Sequence, residues 1–197
     1  MESSMDFNAI IFIGPQGSGK GTQAKLFAEK LDFFYLGTGV TLREIATHDD
    51  ELGKKVAETI DQGRLLDDET IFKVVEERVA SISRDKGIIF DGIPRRLPQA
   101  EYLMNFLKTD HRDRVATVFL ALPHEESMNR LIKRAAIEGR KDDTREHIEF
   151  RLKQYEHETV PVLDYLKKTT RFFEIDGMPP PDEVTREIAK ALNVHMA

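Results

Sequence analysis

The sequence predicts an α/β fold in which a parallel β-sheet of five strands is flanked by helices. Short apolar runs alternate along the chain with longer stretches of helical periodicity, and this alternation is typical of a parallel sheet covered by helices. The apolar runs are nearly continuous in hydrophobic character, as strands buried on both faces should be. The length of 197 residues, with 40% hydrophobic and 32% charged residues, suits one well-filled domain.

Five short apolar runs are the predicted strands, and each ends near Gly, Asp, Pro or a similar residue that breaks a strand. They span residues 9–13, 33–36, 88–90, 115–120 and 171–175. Helices are predicted between them, the first from Thr22 and the last over residues 182–192.

Apolar residues three and four positions apart predict two further helices, over residues 71–79 and 148–155. Asp143, three positions before Glu146, is the predicted cap of the second of these helices. Pro161 is expected to kink or divide that helix, since its ring is incompatible with a helix interior.

No repeat or linker divides the chain, so residues 1–197 are predicted to form a single domain. Two stretches, at about 38–66 and 134–144, are predicted to be excursions from the sheet. The core would then consist of residues 7–37, 67–133 and 145–194.

Composition excludes several kinds of protein. The chain has no cysteine, which rules out a disulfide framework, a thiolate zinc site and a cysteine nucleophile. Its formal net charge of −6 disfavours general attraction to nucleic acid or to an anionic membrane. Residues 1–8 contain no lysine or arginine, and the apolar run 9–13 is shorter than the roughly 7–15 residues of a signal-peptide core. We therefore expect a cytoplasmic protein without nucleic-acid or membrane partners.

The most specific motif follows the first predicted strand, where residues 14–22 are Gly-Pro-Gln-Gly-Ser-Gly-Lys-Gly-Thr. Glycines allow backbone N–H groups to close around phosphate oxygens, and the helix that follows adds the positive end of its dipole. Lys20 supplies a point charge for the outer phosphates. The generic motif has Ser or Thr directly after the lysine, whereas here Gly21 precedes Thr22. The motif predicts a nucleoside triphosphate site on a sheet of the P-loop NTPase type.

Asp91 directly follows the third predicted strand, and a carboxylate in this place is suited to hold magnesium directly or through water. Asp91 and Thr22 are the predicted Mg²⁺ residues, and no zinc site is expected.

Six arginines complete the candidate site, because several guanidinium groups together suit a reaction that must neutralise phosphate charge. They are Arg43, Arg95, Arg130, Arg134, Arg140 and Arg151.

These motifs together resemble those of adenylate kinases and related nucleoside monophosphate kinases. Residues 14–23 are similar to the family's phosphate loop and residues 38–43 to its monophosphate-binding turn. Residues 91–95, with Gln99 four positions later, resemble its Asp-Gly-Phe-Pro-Arg segment. Residues 139–143 resemble its lid. The motifs occur in family order over about residues 9–176.

The resemblance implies a role for each matching residue. The excursion 38–66 would be a mobile monophosphate-binding subdomain, and 134–144 would be a mobile lid of the short form. The ATP-binding residues would be Gly17, Ser18, Gly19, Lys20, Gly21, Thr22, Arg130, Arg134 and Pro179. The AMP-binding residues would be Thr38, Arg43, Arg64, Leu65, Leu66, Gly92, Ile93, Pro94, Arg95, Gln99, Arg140 and Arg151. The catalytic residues would be Lys20, Arg95, Arg134, Arg140 and Arg151.

The implied reaction is the reversible, Mg²⁺-dependent transfer of the γ-phosphoryl group of ATP to AMP, giving two ADP, by a monomeric enzyme. Thr38 and Gln99 stand where adenylate kinases read adenine, which favours AMP over pyrimidine monophosphates. One alternative is a UMP/CMP kinase or a kinase of broad monophosphate specificity. A less favoured alternative is a nucleotide-binding protein without catalysis.

Three residues depart from the family pattern. Gln16 replaces a proline that is common in the loop. Val40 replaces an acidic helix cap, so Thr38 or Thr41 is expected to cap the helix that carries Arg43. Arg96 is expected to add positive charge beside the AMP phosphate.

Overall fold

The computed structural model describes residues 6–138 and 144–195. Its sheet has five strands, all parallel, in the order β2-β3-β1-β4-β5, which confirms the predicted fold class. The strands are β1 Ala9–Ile13, β2 Phe34–Gly37, β3 Ile88–Asp91, β4 Val115–Ala121 and β5 Arg171–Asp176. Each lies within one residue of its predicted bounds at either end.

Nine α-helices lie within the described ranges. They are α1 Lys20–Lys30, α2 Thr38–Ile45, α3 Glu51–Asp61, α4 Asp68–Ala80, α5 Leu97–Thr109, α6 His124–Glu138, α7 Arg145–Gln154, α8 Val160–Thr169 and α9 Pro181–Ala191. A π-helical turn, Tyr155–Thr159, lies between α7 and α8, so the long helix is divided just before Pro161. In the described part of the chain, no helix combines the length and the apolar character needed to cross a membrane.

The two faces of the sheet support separate hydrophobic cores. Along β1, Ile11 and Ile13 pack in one core with residues of α4, α5 and α8. The alternating residues Ile10 and Phe12 pack in the other core with residues of α1 and α9. Each fully buried aliphatic or aromatic side chain of this kind contributes about 1.5–3 kcal/mol. The central strand is therefore rigidly held on both faces.

Strand register places the site at the carboxyl ends of the strands. β1 pairs with β3 so that Phe12 lies opposite Asp91, and with β4 so that Ile13 lies opposite Phe119. Since the strands are parallel, the loop that follows Ile13 emerges beside the end of β3. The phosphate loop and Asp91 are thus neighbours because of the topology.

Two helix starts differ from the expectations. The side chain that caps α7 is Thr144, which accepts a hydrogen bond from the His147 N–H at 3.3 Å; the predicted cap, Asp143, lies outside the described residues. Helix α2 begins after Gly37 without a side-chain cap. Neither threonine of its first turn replaces the missing acidic residue, since the Thr38 hydroxyl donates to the Asp91 carbonyl oxygen at 3.3 Å instead.

Candidate active site

Glycines shape the phosphate loop between β1 and α1. Gly17 and Gly19 have φ angles of 85° and 89°, in the left-handed region that glycine adopts without strain. A Cβ on Gly17 would lie 3.2 Å from the Ser127 carbonyl oxygen, so the loop packs closely against α6. Helix α1 begins at Lys20, and the N–H groups of its first turn point back towards the loop. The loop therefore forms an anion site at a helix N-terminus.

Charged groups from three elements converge on Lys20. Its Nζ donates a hydrogen bond to the Pro15 carbonyl oxygen at 3.1 Å. Burial lowers the pKa of Lys20 to about 8; Asp91 opposes this shift, whereas the guanidinium groups of Arg95 and Arg134 add to it. Two of the predicted arginines thus lie close enough to the loop lysine to alter its protonation.

A second concentration of charge surrounds Arg95. Burial lowers the pKa of its guanidinium, Asp91 opposes the shift, and Arg151, Arg43 and Arg96 reinforce it. Arg95, Arg43 and Arg151 come from positions far apart in the chain, on three different elements or loops. The fold therefore brings these predicted arginines together, at an electrostatic cost that an anionic ligand would offset.

The π-helical turn Tyr155–Thr159 adds two side chains that the sequence analysis did not assign to the site. Thr159 is buried, and its hydroxyl donates to the Arg95 carbonyl oxygen at 3.0 Å. Tyr155 lines a small cavity shared with Arg95. Turns of this kind are frequent at functional sites. The only sequence signal for it was Pro161, which predicted a break but not the side chains that the break would redirect.

The Asp91 carboxylate lies against the start of α1. A Cβ on Gly21 would be 3.1 Å from Asp91 Oδ2, so glycine after the loop lysine leaves room for the carboxylate. The Tyr35 hydroxyl donates to the same oxygen at 2.9 Å. Burial and the neighbouring Asp91 raise the pKa of Tyr35, so the phenol remains a donor at physiological pH. Tyr35 is thus a third residue of the site, after Thr159 and Tyr155, that the sequence did not reveal.

The excursion 38–66 forms one wall of a cleft with about 730 Å³ of open space, mouth included; we call it the excursion cleft. It is cationic and partly apolar, since arginines alternate with leucines and isoleucines along its walls. Nine of the predicted AMP-binding residues line it: Thr38, Arg43, Arg64, Leu65, Leu66, Gly92, Arg95, Gln99 and Arg151.

Three predicted AMP-binding residues are placed differently. Ile93 is fully buried in the hydrophobic core below the cleft. Pro94 lines the neighbouring small cavity, with Lys20 and Tyr155. Arg140 lies outside the described residues.

Gln99 is buried in the excursion cleft with its amide fixed at both ends. Its Oε1 accepts from the Arg95 N–H at 2.8 Å, and its Nε2 donates to Asp68 Oδ1 at 2.8 Å. Arg96 shares that carboxylate at 3.0 Å and also donates to the Leu66 carbonyl oxygen at 3.2 Å. Asp68 thus holds Arg96 as part of the scaffold around Gln99. The expectation that Arg96 adds positive charge beside the AMP phosphate stays a prediction.

A second cleft, with about 860 Å³ of open space, lies between the phosphate loop and the turn before α9; we call it the proline cleft. Its apolar surface comes mainly from Met178, the three prolines and Val184. The full lining is Ser18, Gly19, Thr22, Gln23, Arg130, Gly177, Met178, Pro179, Pro180, Pro181 and Val184. Arg130 donates to the carbonyl oxygens of Gly177 and Met178 at 2.9 and 3.1 Å, and its Nε donates to Glu126 at 2.7 Å. Arg130 thus braces the turn that forms one wall.

Comparison with known proteins gives a consistent result. A sequence model of the family described as adenylate kinase matches residues 12–171. An adenylate kinase from Thermus thermophilus is 37% identical over 186 residues, which are 94% of this chain and 97% of that protein. Adenylate kinases from Bacteroides fragilis and a Cyanothece species are each 39% identical, over 93% and 91% of this chain and 97% and 92% of their own lengths.

Proposed function

The chain belongs to the adenylate kinase family and transfers a phosphoryl group between ATP and AMP, and from this premise we propose how its residues divide the work. The observation that carries the proposal is the convergence of Lys20, Arg95 and Arg134 at the phosphate loop. Arg43 and Arg151 extend this cationic region into the excursion cleft. A chain of cations between two clefts suits a phosphoryl group that passes from one nucleotide to the other.

AMP occupies the excursion cleft in this proposal. Arg43, Arg95 and Arg151 bind its phosphate, because planar guanidinium groups pair with phosphate oxygens in a bidentate manner. Gln99 reads the base with an amide whose orientation is set by the Arg95 N–H and Asp68. Residues 64–66 line the same cleft, and in this proposal their backbone groups face the AMP.

ATP occupies the phosphate loop and the proline cleft. The N–H groups at the start of α1 and the Lys20 ammonium bind its phosphates. The adenine lies against the apolar wall around Pro179, which Arg130 holds in place through the carbonyl oxygens of the turn. Gly17, Ser18 and Gly19 shape the loop around the phosphates.

Catalysis is electrostatic and positional. The AMP phosphate attacks the γ-phosphorus in line, so no side chain of the chain acts as a covalent nucleophile. Lys20, Arg95, Arg134 and Arg151 stabilise the charge on the transferred group, and Arg140 joins them from the lid. Such preorganised charge replaces water around the phosphates.

The residues present fit a magnesium ion. Asp91 supplies a hard oxygen donor beside the start of α1, and the Thr22 hydroxyl lies in the same first turn. Magnesium prefers such oxygen ligands, and it commonly keeps several waters and binds substrate phosphates. When bound, Mg²⁺ would neutralise charge on the β- and γ-phosphates. Asp91 and Thr22 would hold it, directly or through water.

Residues 38–66 and about 134–144 act as the monophosphate-binding subdomain and a short lid in a monomeric enzyme. Their closure would exclude water and so favour transfer to AMP over hydrolysis of ATP. In the structure Gly63 already lies near Phe150 and Arg151, since a Cβ on Gly63 would be 3.9 and 3.8 Å from these side chains. The excursion is thus adjacent to the helix that follows the lid.

A calorimetric titration tests the two-cleft assignment with a probe in which two adenosines are joined through five phosphates. The expected result is one probe per chain, with loss of binding to both ATP and AMP. A probe that displaces ATP but leaves AMP binding intact would contradict the assignment.

A coupled assay with AMP, GMP, CMP and UMP in parallel tests the choice of base, and equal kcat/KM for UMP and AMP would refute the role of Gln99.

A further inference from the structure

We propose that Tyr35 is a positioning residue for Asp91, and through it for the magnesium ion of the bound nucleotide. The inference rests on the metal role proposed above for Asp91. Tyr35 lies on β2, the edge strand next to β3, and its hydroxyl donates to Asp91 Oδ2 at 2.9 Å. This hydrogen bond joins two neighbouring strands at the end of the sheet where the phosphates bind.

The register of β2 and β3 shows how the fold produces the hydrogen bond between Tyr35 and Asp91. Gly37 lies opposite Asp91, whereas Tyr35 lies opposite Ile89. Side chains two positions apart on a strand share a face, so Tyr35, Gly37 and Asp91 are all on one side of the sheet. The phenol must therefore extend about 6.6 Å along its own strand, over Gly37, to reach the carboxylate.

Gly37 provides the space for this path. Its φ of −97° is open to any residue, so its conformation does not require glycine. A Cβ at this position would instead overlap the phenol, at 2.5 Å from Cζ and 2.6 Å from Cε1 of Tyr35, and would collide with the hydroxyl. On its other side, the Tyr35 ring faces the Lys25 ammonium at 5.7 Å. Tyr35 and Gly37 thus form a matched pair that delivers a hydroxyl to Asp91.

The chemistry of the contact suits a metal site. An ionised carboxylate only accepts hydrogen bonds, so the phenol donates and fixes the orientation of the carboxylate. The bond uses one oxygen, Oδ2, and the carboxylate retains the capacity to accept from a metal-bound water. Partners that orient metal ligands typically contribute about 10–100-fold to metal affinity.

The test is a calorimetric titration of Mg²⁺ into the full-length protein saturated with the probe of two adenosines joined through five phosphates. Tyr35→Phe keeps the ring and removes only the hydroxyl, and we expect the Kd for Mg²⁺ to rise about tenfold. Tyr102→Phe is the matched control, because the Tyr102 hydroxyl also donates to a carboxylate, Glu76, at 2.6 Å, but on the outer surface of α4 and α5. Its Kd for Mg²⁺ should stay within about twofold of the wild type.

A second variant disturbs the contact without changing the tyrosine. Gly37→Ala should displace the phenol and weaken Mg²⁺ binding in the same direction as Tyr35→Phe. Asp91→Asn separates this inference from the metal role on which it rests. If Asp91→Asn weakens Mg²⁺ binding while Tyr35→Phe does not, only the inference about Tyr35 is wrong. If neither variant alters the Kd for Mg²⁺, the metal role of Asp91 and the inference are both overturned.

Discussion

The excursion cleft and the proline cleft use arginine in opposite ways. In the excursion cleft, burial lowers the pKa of the Arg95 guanidinium, and the nearby Arg151 and Arg43 lower it further, so like charges are concentrated there. In the proline cleft, Arg130 donates to two backbone carbonyl oxygens and to Glu126, so its guanidinium is held by groups of the protein that form the wall of the cleft. Asp91 offsets part of the repulsion in the first arrangement, and a bound anion would offset it further, whereas the second arrangement stabilises an apolar surface for a base. Position in the fold, and not residue type, decides what an arginine does.

Lys20 lies in the phosphate loop, between the two clefts, and its substitution has the largest expected effect on kcat. Lys20→Met should lower kcat about 10³-fold, because a preorganised charge on the transferred group is lost. The protein should nevertheless unfold at a higher temperature at pH 7. A cation whose pKa is about 8 in the folded state, below its unfolded value of 10.5, destabilises the fold by its full penalty below pH 8, and methionine removes that penalty. Steady-state kinetics and thermal unfolding measure the two effects, and a less stable variant would contradict the second.

Arg95 and Arg96 are adjacent in the chain, so they test the same contrast between an arginine that faces the phosphates and one that supports the wall of a cleft. Arg95→Ala should lower kcat about 10²-fold, since this guanidinium lies among the groups that face the phosphates. Arg96→Ala should instead raise KM for AMP about threefold with little change in kcat, because the loss of one hydrogen bond to Asp68 slightly loosens Gln99. Steady-state kinetics with AMP varied separates these outcomes. Equal losses of kcat in the two variants would mean that both guanidinium groups act on the phosphoryl group.

This pair also shows how far sequence could predict the site. The five strands, the loop and the end of β3 follow from local patterns, and parallel topology then brings Asp91 to the loop. Arg95 lies near Arg43 and Arg151, as the set of arginines suggested, whereas the pairing of Arg96 with Asp68, 28 residues away, was not predicted. A pattern along the chain does not report such a partner.

The residues that the sequence did not reveal depend on packing between elements. Tyr35 reaches Asp91 only because Gly37 leaves a path, and Thr159 reaches the Arg95 carbonyl only because a π-helical turn redirects it. Propensity and periodicity describe one element at a time, so contacts of this kind emerge only when the elements are assembled.

The protonation of Lys20 gives a graded way to alter the phosphate end of the site without mutation. Because the pKa of Lys20 is about 8 in the free protein, its ammonium is largely intact at pH 7 and mostly lost at pH 9. Binding of ATP phosphates favours the charged form, so the Kd for ATP should rise about tenfold between pH 7 and pH 9. Calorimetry at pH 8 in buffers of different ionisation enthalpy should show proton uptake on ATP binding. Absence of proton uptake at pH 8 would show that Lys20 stays fully charged in the free protein.

Arg130→Ala tests the wall of the proline cleft, and its expected effect is confined to KM for ATP. The substitution removes two hydrogen bonds to the turn at Gly177 and Met178, each worth about 0.5–1.5 kcal/mol in net stability. The adenine surface should become less ordered, so KM for ATP should rise about fivefold while KM for AMP and kcat change less than twofold. Arg78→Ala is the matched control, because Arg78 also pairs with a glutamate, Glu44, at 2.7 Å, but lines neither cleft. A large fall in kcat for Arg130→Ala, with KM for ATP unchanged, would place this guanidinium on the phosphates and erase the distinction between the two clefts.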